Sequence, residues 1–156
     1  MKKSLHLFKI LLAAACAALL LASCASIQRS KDTKNVKRIS ELINTGQAEA
    51  LTEMSELPFL LDQEIIVLPK DVQTFWSTII KVGFKVEQPV LERGVKLGPE
   101  SYKEFYDSME VRTFFSKYLK KRSRLLELKT STNQHILLLV TDTLFTRSIH
   151  GFKGPY

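Results

Sequence analysis

Apolar residues recur every three or four positions at Val36, Ile39, Leu42 and Ile43, and the stripe stops at Asn44-Thr45-Gly46. That spacing predicts a helix with one buried face, and Gly46 stands where a left-handed residue closes a helix end. Gln47 to Glu56 offers a second short helix with Ala50, Leu51 and Met54 on one side, closed by Pro58. Glu64-Ile65-Ile66-Val67-Leu68 is rich in β-branched residues and too short for a helix, so it reads as a strand. A third helix is expected from Asp71, as N-cap, to about Val82, with Val72, Phe75, Trp76, Ile79 and Ile80 on one face and Gly83 ending it. Phe84 to Val90 alternates apolar with polar positions, and Pro89 places that expected strand at an edge or an end.

Farther along, Ser101 and Glu104 have the spacing of a capping box. The stripe Tyr102, Phe105, Tyr106, Met109 is followed nine residues on by Val111, Phe114, Phe115, Tyr118. Nine helical steps put the two stripes about half a turn apart, so the helix either breaks near Met109 or is buried on opposite sides along its length. Leu125 to Lys129 and Ile136 to Phe145, separated by Thr130-Ser131-Thr132-Asn133-Gln134, are expected as a hairpin. Residues Ile136 to Val140 are apolar without alternation, which predicts a central strand covered on both faces. The tail Gly151 to Tyr156 is expected to be irregular. These elements define an α+β protein.

The first 24 residues have a different pattern. Lys2 and Lys3 precede an apolar run from Leu5 to Leu21 interrupted by His6 and Lys9, and the run closes on Leu21-Ala22-Ser23-Cys24. This resembles the signal peptide and lipobox of a bacterial lipoprotein. The uninterrupted apolar part, Ile10 to Ala22, is thirteen residues, short of the roughly 20 that span a bilayer. The resemblance implies cleavage between Ser23 and Cys24, a diacylglyceryl group on the Cys24 thiol, and usually an acylated new N-terminus. A plain secretory signal is the alternative. Cys16 leaves with the signal, so no cysteine remains to form a disulfide with Cys24. The organisation expected is a signal peptide over 1–23, a lipidated polar tether over 24–34 and one domain over 35–156. The place is the bacterial cell membrane or outer membrane, on the side away from the cytoplasm.

Cleavage also changes the charge. Loss of Lys2, Lys3 and Lys9 lowers Lys+Arg from 23 to 20 against 16 acids, so the formal charge drops from +7 to +4. Residues 111–156 hold nine bases and two acids, while 41–110 hold six and thirteen. A basic surface region is therefore expected, strongest at Lys117, Lys120, Lys121, Arg122 and Arg124. Beside a membrane its nearest partner is anionic headgroups, although cations near a helix C-terminus also favour the helix dipole. The compartment argues against nucleic acid.

Three segments resemble the nuclear-transport-factor-2-like, or cystatin-like, superfamily. They are Gly46-Gln47-Ala48-Glu49-Ala50-Leu51, Leu61-Asp62-Gln63-Glu64-Ile65-Ile66-Val67 and Lys70-Asp71-Val72-Gln73-Thr74-Phe75-Trp76. Gln47 stands where the family has Asp, and the helical stretch Tyr102 to Leu119 falls where the family has strands. The resemblance implies N-terminal helices packed on a curved antiparallel sheet, a cone whose mouth can hold a ligand. It implies a scaffold and no reaction.

Candidate chemistry is sparse. His135 and His150 are fifteen apart without a Cys partner or a His-x-x-x-His spacing, so they read as surface residues and no metal or cofactor is expected. Asp62 and Glu64 alternate onto one strand face and could pair as acid and base in a cone interior. Phe75 and Trp76 could line the same pocket or fill the core. The leading expectation is a non-catalytic, membrane-anchored binding module that takes an envelope protein or a small hydrophobic ligand. The alternatives are a small cavity enzyme using Asp62 or Glu64, and an envelope structural protein contacting anionic lipid through the basic cluster.

Overall fold

The computed structural model describes residues 26–142 and 147–156. Ser23 and Cys24, and with them the expected signal peptide and lipidation site, lie outside the described residues. Helix α1 occupies 26–44, α2 Ala48–Met54, α3 Pro69–Lys81 and α4 Met109–Tyr118. The strands are β1 Ser55–Leu61, β2 Glu64–Ile66, β3 Val90–Lys96, β4 Ser123–Lys129, β5 His135–Asp142 and β6 Arg147–Lys153. No helix among the described residues is long and apolar enough to cross a membrane.

α1 begins earlier than its apolar stripe. The segment expected as an irregular tether is helical over 26–34, because Asp32 continues the buried face of Val36, Ile39 and Ile43 at helical spacing. The face is extended by an ion-paired carboxylate and not by a hydrophobe, so hydropathy alone did not register it. Gly46 closes α1 as expected. Its φ is +75°, its N–H donates to the Ile43 carbonyl, and the Gln47 N–H reaches back to Leu42, the paired bonds of a Schellman end. Gly83, Ile80, Phe84 and Ile79 repeat the device at the end of α3. At the start of α3, Pro69 takes the first helical position and Leu68, not Asp71, is the cap residue.

The sheet has the order β2-β1-β6-β5-β4-β3 and is not closed. It is mixed rather than antiparallel. Four neighbouring pairs are antiparallel, while β1 runs parallel to β6, with an irregularity between Ser55 and Leu60 that contains Pro58. β1 follows α2 directly, where the sequence suggested a longer helix, and β6 includes Gly151 to Lys153, which the glycines and proline had suggested were irregular. Gly151 is needed there: a Cβ would come within 2.8 Å of the Leu60 carbonyl oxygen on the parallel neighbour. The expected strand at Phe84 to Val90 is absent. Val86 is buried, but its backbone N–H and carbonyl pair with the Asn44 side chain at 2.8 and 2.9 Å, and the strand starts at Val90.

β5 lies between β4 and β6 and is buried on both sides, as its unbroken apolar run requires. Ile136, Leu138 and Val140 face a core made with α1, α2 and α3, where Trp76 meets Phe59 and Phe152. Leu137 and Leu139 face a second core made with Phe105, Val111 and Phe114. That second layer settles the double stripe, because the chain breaks. A short 3₁₀ helix, Ser101–Glu104, is separated from α4 by residues 105–108, and Ser108 caps α4 by accepting the Val111 N–H. The capping box does not form. Ser101 Oγ instead accepts the Gly98 N–H, and Glu104 pairs with Arg93.

Candidate functional site

α4 presents Val111 and Phe114 to the sheet, and the next positions around its face, Phe115 and Leu119, are half buried. Opposite them the chain from β3 to the 3₁₀ helix brings Leu97, Pro99 and Tyr102. Together these residues line an open groove of about 390 Å³. Its charged lining is Arg112, Lys120 and Lys121, all exposed, and no carboxylate lines it. The Arg112 guanidinium lies 5.9 Å from the Tyr102 ring centre, within cation–π range, which ties the cation to the apolar wall.

Behind the groove runs a closed loop of polar contacts. Lys120 Nζ donates to Glu56 Oε1 at 2.8 Å, and Glu56 Oε2 lies 3.6 Å from His150 Nε2. His150 Nε2 is 2.8 Å from Thr141 Oγ1, which is 2.7 Å from Ser123 Oγ, and Ser123 Oγ accepts the Lys120 backbone N–H. The Lys120 hydrogen bond is the main cause that holds the Glu56 carboxyl below its usual range. Burial is the main cause that depresses His150, with Glu56 opposing it. Ser123, Thr141 and His150 are buried, so this serine–histidine–carboxylate set presents no nucleophile to solvent and acts as a polar support for the end of α4. The expectation that His150 is a surface residue is corrected.

A second cleft, about 570 Å³, opens beside α1 and is lined by Arg29, Asp32, Gly94, Lys96 and Arg124 among others. Arg124 Nε donates to Asp32 Oδ1 at 2.9 Å, and Nη2 donates to Asp32 Oδ2 and to the Gly94 carbonyl, both at 2.7 Å. The glycine at 94 makes room for this: a Cβ there would collide with the Asp32 carboxylate. Arg124 is therefore removed from the expected basic patch. Lys117, Lys121 and Arg122 are exposed, Lys117 lying 5.2 Å from the Tyr118 ring centre.

The other expected site residues do not come together around a cavity. Trp76 is fully buried and its indole N–H donates to Ser55 Oγ at 2.9 Å, while Phe75 packs 4.6 Å away, so both fill the core. Asp62 is a turn residue with φ +52° that accepts the Gly154 N–H, and Glu64 is exposed on β2. Among the described residues, the groups gathered closely enough to hold a metal ion are Glu92, Glu127 and His135. Sequence reasoning found Lys120 and Lys121 but missed Arg112 and the apolar wall. The signal for Asp32 was present, since an acid on a buried helical stripe requires a basic partner.

The fold and groove define an α+β protein with an open basic cleft over an apolar lining. A scan of protein-family models, a search of curated proteins and a search of solved structures each found no match to this chain.

Proposed function

We propose that this chain is a lipid-anchored protein of the bacterial envelope whose domain is a non-catalytic binding module for an anionic amphiphile. The observation that carries the binding reading is the groove at α4. Leu97, Tyr102, Phe115 and Leu119 offer an apolar surface, and Arg112 and Lys121 offer two exposed cations beside Lys120, whose ammonium is engaged by Glu56. An apolar segment of ligand gains by leaving water, and its acidic group gains from the positive charge of Arg112 and Lys121. The anchor reading rests on Leu21-Ala22-Ser23-Cys24. The superfamily resemblance remains the proposed scaffold, supported by the order of α1, α2, β1, β2 and α3.

A contact with anionic headgroups is the second reading, and one observation favours it. α1 is already helical at 26, so little free chain separates the domain from Cys24. Arg29 is five residues from Cys24, at most about 18 Å along an extended chain. The cleft of Arg29 and Lys96 is thereby held close to the bilayer.

Two experiments test the proposal. Mass spectrometry of the mature protein should find acylated Cys24 at the N-terminus; an unmodified start elsewhere removes the anchor. The full chain in detergent should bind a water-soluble short-chain phosphatidylglycerol at least tenfold more tightly than the matching phosphatidylcholine. Arg112→Glu combined with Lys121→Glu should abolish that preference. Equal binding of the two lipids, or a preference that survives the double variant, rejects the groove. A preference lost instead in Arg29→Glu with Lys96→Glu assigns the contact to the cleft beside α1.

A further inference from the structure

We propose that Glu92, Glu127 and His135 form a binding site for one divalent transition-metal ion, with zinc the best fit. The three residues come from β3, β4 and β5, and the register of the sheet brings them together. His135 lies diagonally across from Glu127, since Glu127 pairs with Leu137 and Lys129 with His135. Between Leu91 and Arg93 the β3–β4 register shifts: Leu91 pairs with Leu128 and Arg93 with Glu127, so two steps on β3 match one on β4. This is a β-bulge at Glu92, a device that re-aims side chains. It lets both Glu92 and Arg93 reach Glu127.

The distances fit a metal better than they fit hydrogen bonds. His135 Nδ1 lies 3.4 Å from Glu92 Oε2 and 3.4 Å from Glu127 Oε1. Both exceed the usual range of about 2.7 to 3.2 Å for an N–H···O bond. Ligand atoms about 2.1 Å from a tetrahedral ion stand about 3.4 Å from one another, the length of the tetrahedron's edge. The two separations from His135 are close to that edge, and the three donor atoms all lie within 4.8 Å of one another. One imidazole nitrogen and two carboxylate oxygens are an ordinary donor set for zinc, and a fourth position facing solvent would take water or a ligand group.

The surroundings hold the donors in place and supply negative charge. Arg93 Nε donates to the second oxygen of Glu127 at 3.0 Å, leaving Oε1 directed at His135. Arg93 also pairs with Glu104, so two carboxylates, Glu104 and Glu127, share its guanidinium, and Glu92 stands beside His135. The backbone of His135 is fixed by exchanging hydrogen bonds with Tyr156 at 3.0 and 3.1 Å. Outer contacts of this kind orient metal ligands and raise affinity. One oxygen of Glu127 is taken by Arg93, and its other oxygen, with Glu92 and His135, keeps three donor atoms within 4.8 Å of one another.

The test is calorimetric titration of the full chain in detergent with zinc chloride, repeated with magnesium chloride. One zinc per chain should bind with micromolar or tighter affinity, magnesium should bind at least a hundredfold more weakly, and zinc should raise the melting temperature. His135→Ala and Glu92→Gln should each weaken zinc at least tenfold, whereas His150→Gln should leave it unchanged. Both carriers of the test sit on exposed or half-exposed positions, and their metal-free melting temperatures verify folding. Absence of zinc binding in a folded wild-type chain, or unchanged affinity in His135→Ala and Glu92→Gln, overturns the proposal. Lipid binding at the α4 groove is independent of either result.

Discussion

Under α1, α2 and α3 the sheet is sealed by rings: Trp76 stands 4.6 Å from Phe75, 5.6 Å from Phe152 and 6.1 Å from Phe59, centre to centre. Under the 3₁₀ helix and α4 the same materials stop short of closure. Phe114 and Phe115 are 6.2 Å apart, but Phe115 is half buried and lines the groove beside Arg112 and Lys121. Three helices cover one face, and two short pieces joined by four residues cover the other. Apolar surface that one face spends on cohesion is left on the other at the edge of solvent, where cations surround it. The pocket imagined at Phe75 and Trp76 thus lies on the filled face, where the cleft beside α1 is occupied by the Asp32–Arg124 pair, and the groove with an apolar wall lies on the face whose covering helix is broken.

The strongest way to break this contrast is to truncate one ring on each face. Trp76→Ala should cost about 3 to 5 kcal/mol of stability in urea unfolding, and Phe115→Ala less than half of that. Similar losses at the two positions would mean that the α4 face is as tightly packed as the other. Next in size is the buried ion pair beside α1. Asp32→Ala leaves Arg124 buried and unpaired and should cost about 3 kcal/mol, while Asp32→Leu with Arg124→Met should recover most of the loss. A double variant as unstable as the single one would show that the helix there depends on the charges themselves.

A smaller effect comes from pH. His150 is depressed below its ordinary 6.5 chiefly by burial, so the unfolded chain takes up this proton at a higher pH than the folded one. The stability linked to His150 is complete above about 6.5 and is lost as pH falls from there through its folded pKa. Glu56, lowered from 4.5 mainly by Lys120, contributes above 4.5 and loses its share as pH falls through its folded pKa. Melting temperatures should therefore decline in two stages on acidification. His150→Gln should flatten the first stage and keep the second; an unaltered profile would remove His150 as its cause. The smallest effect belongs to the groove cations. Arg112→Glu with Lys121→Glu should change stability by no more than about 0.5 kcal/mol, because both side chains are exposed. A large loss in thermal unfolding would make them structural supports.

Much of the secondary structure was legible in local pattern. Gly46 and Gly83 marked helix ends because their positive φ is a local demand, and the nine-residue offset between Tyr102 and Val111 left a break or a two-sided helix, between which the structure decides for the break. Where the pattern misled, a longer-range partner was responsible. Val86 alternates like a strand residue but satisfies its backbone on Asn44. Pro58 looks like a helix stop yet lies within β1, at the irregular part of its parallel pairing with β6. Of the candidate site, Lys120 and Lys121 were visible as a run of cations, whereas Arg112 and Leu97 could not be assigned to the same groove from spacing alone.

The sequence by itself determined the helices ending at Gly46 and Gly83, the burial of β5 on both faces and the α+β class, because each follows from periodicity within a dozen residues. It also carries Leu21-Ala22-Ser23-Cys24, the run on which the proposed lipid anchor rests. Only the tertiary structure decided which charges meet. Asp32 finds Arg124 across 92 positions, and a single bulge sets Glu92 against Glu127 and His135. Such meetings depend on strand order and register, and a one-residue slip in register turns every side chain of a strand to the opposite face.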